Sequence, residues 1–141
     1  MYSKARTFLV LALSHTVHTL SYIAPRDKRL WVFIGGNVHK EREMFSDNSK
    51  YMFLYTSRLT DIHSVWLAQD KKIEKILRDQ GFNACYVKSI RGIYYALRAG
   101  VTFIDAYFYG ISWSLSSGSR TIQLWHGKGL TRNGFEAGVA L

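Results

Sequence analysis

The chain has 141 residues, 48% hydrophobic and 15% aromatic, enough apolar material for one packed domain and too much for a disordered segment. Its 19 Lys and Arg against 10 Asp and Glu leave a net charge of +9, which favours an anionic partner: nucleic acid, a phospholipid surface or a phosphate-rich substrate. The single cysteine, Cys85, excludes an internal disulfide framework and a cysteine zinc site.

The first predicted element is a helix from Thr7 to Ala24. Phe8 to Leu13 is continuously apolar, and Val17, Leu20 and Ala24 continue the stripe begun by Val10 and Leu13. Ser14, His18 and Ser21 take another face. The stretch is too polar to span a bilayer comfortably, where about 20 mostly apolar residues are needed. Basic residues flank it, Lys4 and Arg6 before, Arg26, Lys28 and Arg29 after. An interfacial helix and a helix packed on its own domain both fit, and both stay open. A signal peptide would share the basic start, but no small-x-small cleavage site follows. His15 and His18, three apart, read as part of a polar face and not as a metal pair; His39, His63 and His126 are scattered. No metal site is implied. Residues 1–29 are thus an amphipathic helix with a basic linker, and residues 30–141 form one domain.

Beyond Pro25 strands and helices alternate. Leu30 to Ile34 is a β-rich run stopped by Gly35 and Gly36. Asp47 and Asn48 are suitable N-caps for a helix carrying Tyr51, Phe53, Leu54 and Leu59. His63 to Leu67 is a second strand. A charged helix from about Asp70 to Gln80 follows, closed by Gly81. Its Lys71, Lys72, Lys75 and Arg78 interleave with Asp70, Glu74 and Asp79, which makes a solvated face. Ala84 to Val87 is a third strand, Ile90 to Arg98 a helix ended by Gly100, and Val101 to Ala106 a fourth strand. Ser112 to Ser119 is a loop, and Arg120 to Trp125 the fifth strand. The alternation implies βαβ units in a parallel, doubly wound sheet of about five strands with helices on both faces.

The most informative segment is Ile122-Gln-Leu-Trp-His-Gly127. It reads as a buried strand broken by His126 and Gly127, then a cationic stretch with Lys128 and Arg132. Ligands of open α/β sheets sit at the carboxyl ends of strands, and histidine is suited to taking a proton near neutral pH. Histidine also occurs at strand ends for structural reasons. The absence of an RNP-like aromatic signature, zinc-finger spacing or basic heptads argues against nucleic acid.

These pieces resemble the CDP-glycerol glycerophosphotransferase family, the polymerases and primases of teichoic acid and related polyol-phosphate chains. The matching segments are Asp47-Asn-Ser-Lys-Tyr51, Val65-Trp-Leu67, Ser89-Ile-Arg-Gly-Ile-Tyr-Tyr-Ala-Leu-Arg-Ala99 and, above all, Ile122 to Gly127. Together they cover about Trp31 to Phe135. Two departures stand out. The family continues its His-Gly with a small residue, then Pro, Leu and Lys, whereas here Lys128, Gly129, Leu130 and Thr131 follow and a cation is displaced to Arg132. Family members also resemble two-Rossmann-domain (GT-B) glycosyltransferases, whose second domain binds most of the donor; this chain looks like the first, Rossmann-like domain.

The resemblance implies transfer of glycerol phosphate from CDP-glycerol to a hydroxyl of a membrane-borne polyol-phosphate or lipid-linked acceptor, with release of CMP and without a cofactor. His126 would accept the hydroxyl proton, Gly127 would let the backbone approach the substrate, and Lys128 and Arg132 would hold acceptor phosphates or stand as solvated loop cations. Asn48 and Lys50 belong to a matching motif, with the N-cap role preferred for Asn48. CDP-ribitol is the alternative donor. An anionic membrane surface at the cytoplasmic face is the expected location. Two other readings remain: a non-catalytic or membrane-associated interaction domain of the same fold, and a basic domain that binds polyanions generally.

Overall fold

The computed structural model describes residues 4–35, 45–105 and 115–124. In chain order they form α1 (Lys4–Ile23), β1 (Asp27–Ile34), α2 (Asp47–Thr56), β2 (His63–Ala68), α3 (Lys71–Asp79), β3 (Ala84–Tyr86), α4 (Ile90–Arg98), β4 (Ala99–Ile104) and β5 (Arg120–Gln123). The five strands make one sheet in the order β3-β2-β1-β4-β5, and every pairing is parallel. The strand order reverses between β1 and β4, and in open α/β sheets ligands sit outside the carboxyl ends of the strands at such a point.

Alternation along the central strands builds two cores. Leu30, Val32 and Ile34 of β1 join Val65, Leu67, Cys85, Val87, Ala96, Ala99 and Ile104 on the face covered by α4. Phe33 points the other way, into Phe53 of α2, Leu77 of α3, Trp66, Ala68, Ala84 and Phe103. Aromatic rings dominate this second core. Phe33 stacks on Phe103 with centroids 4.6 Å apart, and Trp66 meets Phe53 edge-on at 5.5 Å. Such pairs add roughly 0.5–1.5 kcal/mol each beyond area burial.

Helix ends follow local chemistry. Asp70 caps α3 by accepting from the Lys72 amide. At the other end Gly81 takes φ +85°, the Phe82 amide donates to Leu77 O and the Gly81 amide to Arg78 O. That is a Schellman closure, which L side chains resist and glycine permits. Ser89 caps α4 through the Gly92 amide at 3.0 Å. Gly100 does not end α4. The helix passes directly into β4 at Ala99, and Gly100 lies within that strand, where a Cβ would come to 2.4 Å from Asp27 O. Glycine is needed there because β1 crosses close by at a register shift.

Three other expectations are corrected. The N-cap of α2 is Ser46, without a side-chain capping bond, so neither Asp47 nor Asn48 caps the helix. Leu59 lies beyond α2, which stops at Thr56. All four residues of β5 are exposed, so among the described residues it is an edge strand and not a buried one. The structure also shows which face of α1 turns inward. Ser21 is 1% exposed, with Ser14, Val17, His18 and Ala24 half-buried, whereas Leu20 is 60% exposed beside Phe8, Leu9, Leu11, Leu13, Tyr22 and Ile23. The polar face packs inward because its contacts are hydrogen bonds. Ser21 Oγ donates to Leu115 O at 2.8 Å and Ser117 Oγ donates to His18 O at 2.8 Å. The Arg26 guanidinium donates to Ser21 O and to Ala96 O, each at 2.7 Å. Among the described residues no helix is long and apolar enough to cross a membrane.

Candidate functional site at the carboxyl edge of the sheet

Parallel pairing places the residues that follow β1, β2, β4 and β5 along one edge: Gly35, Gln69, Asp105 and Leu124. Gly35 is buried at the reversal point. A Cβ there would lie 2.6 Å from Asp105 Oδ2, 2.8 Å from the Trp66 ring and 3.2 Å from Ser49 Cβ. This glycine therefore serves close packing against a carboxyl group, which does not favour the phosphate cradle that the Gly35-Gly36 pair suggests; Gly36 lies outside the described residues.

The first turn of α2 closes over this edge. The Ser49 amide donates to Asp105 Oδ1 at 2.8 Å, and Asn48 Nδ2 donates to Leu124 O at 3.3 Å. Leu124 in turn donates its amide to Ile104 O at 2.8 Å. The ends of β4 and β5 and the start of α2 are thus joined by three hydrogen bonds. Lys50 follows on the same turn, half-buried, with Nζ 5.3 Å from the Phe45 ring centroid and 5.7 Å from that of Tyr51. Its cation is held against two aromatic rings.

Asn48 and Lys50 are brought to this edge as a pair. His126, Gly127, Lys128 and Arg132 lie outside the described residues, which end two positions before His126. Asp105 and Gln69 were not anticipated. Asp105 was counted inside the fourth strand, yet β4 ends at Ile104, and a carboxylate directly after an apolar strand was the available signal. Both side-chain amide atoms of Gln69 are buried without a hydrogen-bond partner among the described residues.

Other charged features lie elsewhere. Lys75 pairs with Asp79 at 2.8 Å and Arg78 with Glu74 at 3.9 Å on the outer side of α3, as a solvated face requires. Exposed pairs of this kind contribute little. Burial pushes the Cys85 thiol up to about 11, which makes it an inert core residue. No cluster of three metal-ligating side chains occurs among the described residues.

The described residues thus form an α/β domain with a parallel sheet, a Rossmann-like arrangement in which ligands sit beyond the strand carboxyl ends where the strand order reverses. The family model for CDP-Glycerol:Poly(glycerophosphate) glycerophosphotransferase matches residues 16–139, and the chain belongs to that family. No curated protein and no solved structure matches it.

Proposed function

We propose that the chain forms the acceptor side of a glycerophosphotransferase that moves glycerol phosphate from CDP-glycerol to a hydroxyl of a membrane-borne polyol-phosphate or lipid-linked acceptor. The observation that carries this reading is the family match across residues 16–139, which spans the Trp125-His126-Gly127 sequence following β5. The acceptor oxygen attacks the glycerol-bearing phosphorus. The O–P bond forms as the bond from that phosphorus to the bridging oxygen breaks, CMP leaves, and the hydroxyl proton passes to the His126 imidazole. The protein's part is alignment and charge compensation. Gly127 lets the protein backbone approach the substrate closely, Lys128 and Arg132 offset phosphate charge, and Lys50 and Asn48 stand at the start of α2 beside the carboxyl edge of the sheet. Donor binding falls mainly to a second Rossmann-like half.

The exposed apolar residues of α1 and the net charge of +9 support a peripheral position on an anionic membrane at its cytoplasmic face, where such acceptors are displayed. The same exposed helix is what favours the second reading, a non-catalytic membrane-associated domain of this fold.

The test is CMP release from CDP-glycerol and, in parallel, CDP-ribitol, with a donor-binding half supplied. Wild type and His126→Ala are compared at matched folding by circular dichroism. Loss of a general base lowers turnover about 10²–10⁴-fold. Equal rates would make His126 structural, and no release from either donor would favour the non-catalytic reading.

A further inference from the structure

We propose that the amino-terminal edge of the sheet is the surface that rests on an anionic bilayer, with Lys28 and Arg29 as its main headgroup contacts, and that the carboxyl edge is turned away from the lipid. The inference rests on the peripheral membrane reading and adds to it which side of the domain meets the lipid.

The cations of the chain are unevenly placed. Arg26, Lys28 and Arg29 lie at the start of β1, Arg98 directly before β4, and Arg120 at the start of β5. These strands are neighbours and run parallel, so their starts share one edge. Across residues 4–35, 87–104 and 115–124, Asp27 is the one acidic residue. Lys28, Arg29 and Arg120 are exposed, and none of them is in an ion pair among the described residues. Arg98 is tied to the same edge, its Nη1 donating to Pro25 O at 2.7 Å.

A fixed irregularity presents the first two cations. Asp27 pairs with Ala99 and Trp31 with Val101, so three residues of β1 stand opposite Gly100 alone. An insertion of this kind bulges the strand and re-aims its side chains. Three contacts hold the bulge. Asp27 Oδ1 accepts from the Arg29 amide at 2.9 Å, and Trp31 Nε1 donates to Lys28 O at 3.1 Å. Gly100 leaves room for the Lys28 backbone, whose Cα would lie 2.8 Å from a Cβ at that position. None of these contacts uses the side chain of Lys28 or Arg29, and both side chains are left to the surface.

Apolar groups stand beside these charges. Leu20, Tyr22 and Ile23, in the last turn of α1, are 60%, 69% and 74% exposed, and Arg26 follows three residues after Ile23. An exposed tyrosine and two aliphatic side chains next to unpaired cations suit the interface of an anionic bilayer. A soluble polyanion would use the charges and leave the apolar side chains in water, so lipid is the occupant that accounts for both. β4 has six residues, about 20 Å at 3.3 Å per residue. Asn48 and Lys50, at the opposite edge, then stand clear of the headgroups.

The experiment is vesicle flotation of the full chain with two charge-matched variants. Lys28→Gln/Arg29→Gln empties the amino edge, and Lys71→Gln/Lys72→Gln removes the same charge from the start of α3, on the carboxyl side of β2. All four side chains are exposed, and equal melting temperatures confirm matched folding. On phosphatidylserine-containing vesicles the first variant should bind at least 10-fold more weakly than wild type and the second within about twofold, since each cation at such a surface contributes several-fold. The gap should close near 1 M salt, where screening acts over about 3 Å.

Equal weakening by the two variants overturns the proposal and leaves the peripheral reading intact, with total charge as the attraction. Wild type that floats with neither anionic nor zwitterionic vesicles overturns both together. Two further arms identify other occupants. Soluble polyphosphate that binds wild type but not Lys28→Gln/Arg29→Gln, with vesicle binding equal, makes the edge a polymer site. A wild-type dimer in sedimentation that the same variant dissolves, with vesicle binding equal, makes it a contact between copies. Either result overturns the lipid assignment.

Discussion

Gly35 and Asp105 meet at the reversal point of the sheet with no room for a methyl group between them: a Cβ on residue 35 would stand 2.6 Å from the Asp105 carboxyl oxygen. The other neighbours are the Trp66 ring at 2.8 Å and Ser49 Cβ at 3.2 Å, both on fully buried residues that cannot swing into solvent. Gly35→Ala should therefore destabilise the fold by about 1–3 kcal/mol, the range of overpacked cores. Urea unfolding followed by far-UV circular dichroism measures it. A loss below about 0.5 kcal/mol, the size of an ordinary surface substitution, would mean that the carboxyl edge yields freely.

Arg26 joins three parts of the chain. Its guanidinium donates to Ala96 O at the end of α4, to Ser21 O and Oγ at the end of α1, and at 3.4 Å to Leu115 O. Burial first, and then neighbouring Arg98, lowers its pKa from the ordinary arginine value, a sign that the charge is partly desolvated. Arg26→Lys cannot reproduce the planar fork. It should cost about 1–3 kcal/mol and raise hydrogen exchange selectively in the last turns of α1, while β1 to β4 keep their protection. Uniform loss of protection would show that the clamp belongs to the core and not to the helix junction.

How far these features could be read in advance depended on what kind of signal each residue carries. Apolar alternation exposed the strands, since Leu30, Val32 and Ile34 face one core and Phe33 the other. The Gly81 closure is short-range chemistry, and it was legible. Long-range contacts were not. Gly100 looked like a helix stop because nothing in the local sequence reports that the β1 backbone passes beside it. The burial of Ser21 had no local signal either, because its partners, Leu115 and Arg26, are brought to it only by the fold. At the site, Asn48 and Lys50 were visible as a motif. The pairing of Asp105 with the Ser49 amide joins residues 56 apart in sequence, and no periodicity announces it.

Cys85 offers a titration test. Its thiol is pushed from the ordinary value of 9.0 to about 11, mainly by burial. The folded pKa is raised, so the stability contributed by the protonated thiol is complete below about pH 9 and is lost as pH climbs toward 11. The urea midpoint of wild type should fall more steeply across that window than that of Cys85→Ala, a comparison that cancels titration of tyrosines and lysines. At pH 8 the native thiol should react with a disulfide reagent only as fast as the protein opens. Immediate reaction would show the group to be accessible.

The outward apolar residues of α1 predict a lipid contact that can be weakened without disturbing the fold. Leu13 and Leu20 are both largely exposed, so replacing both by Ser should leave the melting temperature unchanged. Each leucine contributes about 1.5–3 kcal/mol when fully transferred from water, so the double variant should bind anionic vesicles at least tenfold more weakly. Flotation with phosphatidylserine-containing and purely zwitterionic vesicles measures both the apolar and the charge dependence. Equal flotation of wild type and variant would remove this helix as the anchor.

The bond between Asp105 and the Ser49 amide also decides how α2 meets an incoming anion. The leading amides of a helix ordinarily attract phosphate, and many nucleotide-binding α/β proteins place a diphosphate there. Here a carboxyl group of the same chain already occupies that position. A ligand approaching the reversal point finds the Ser49 amide already taken by a carboxyl group. On the same turn the Lys50 cation lies against the Phe45 and Tyr51 rings, and any attraction it exerts on an anion is weakened by salt.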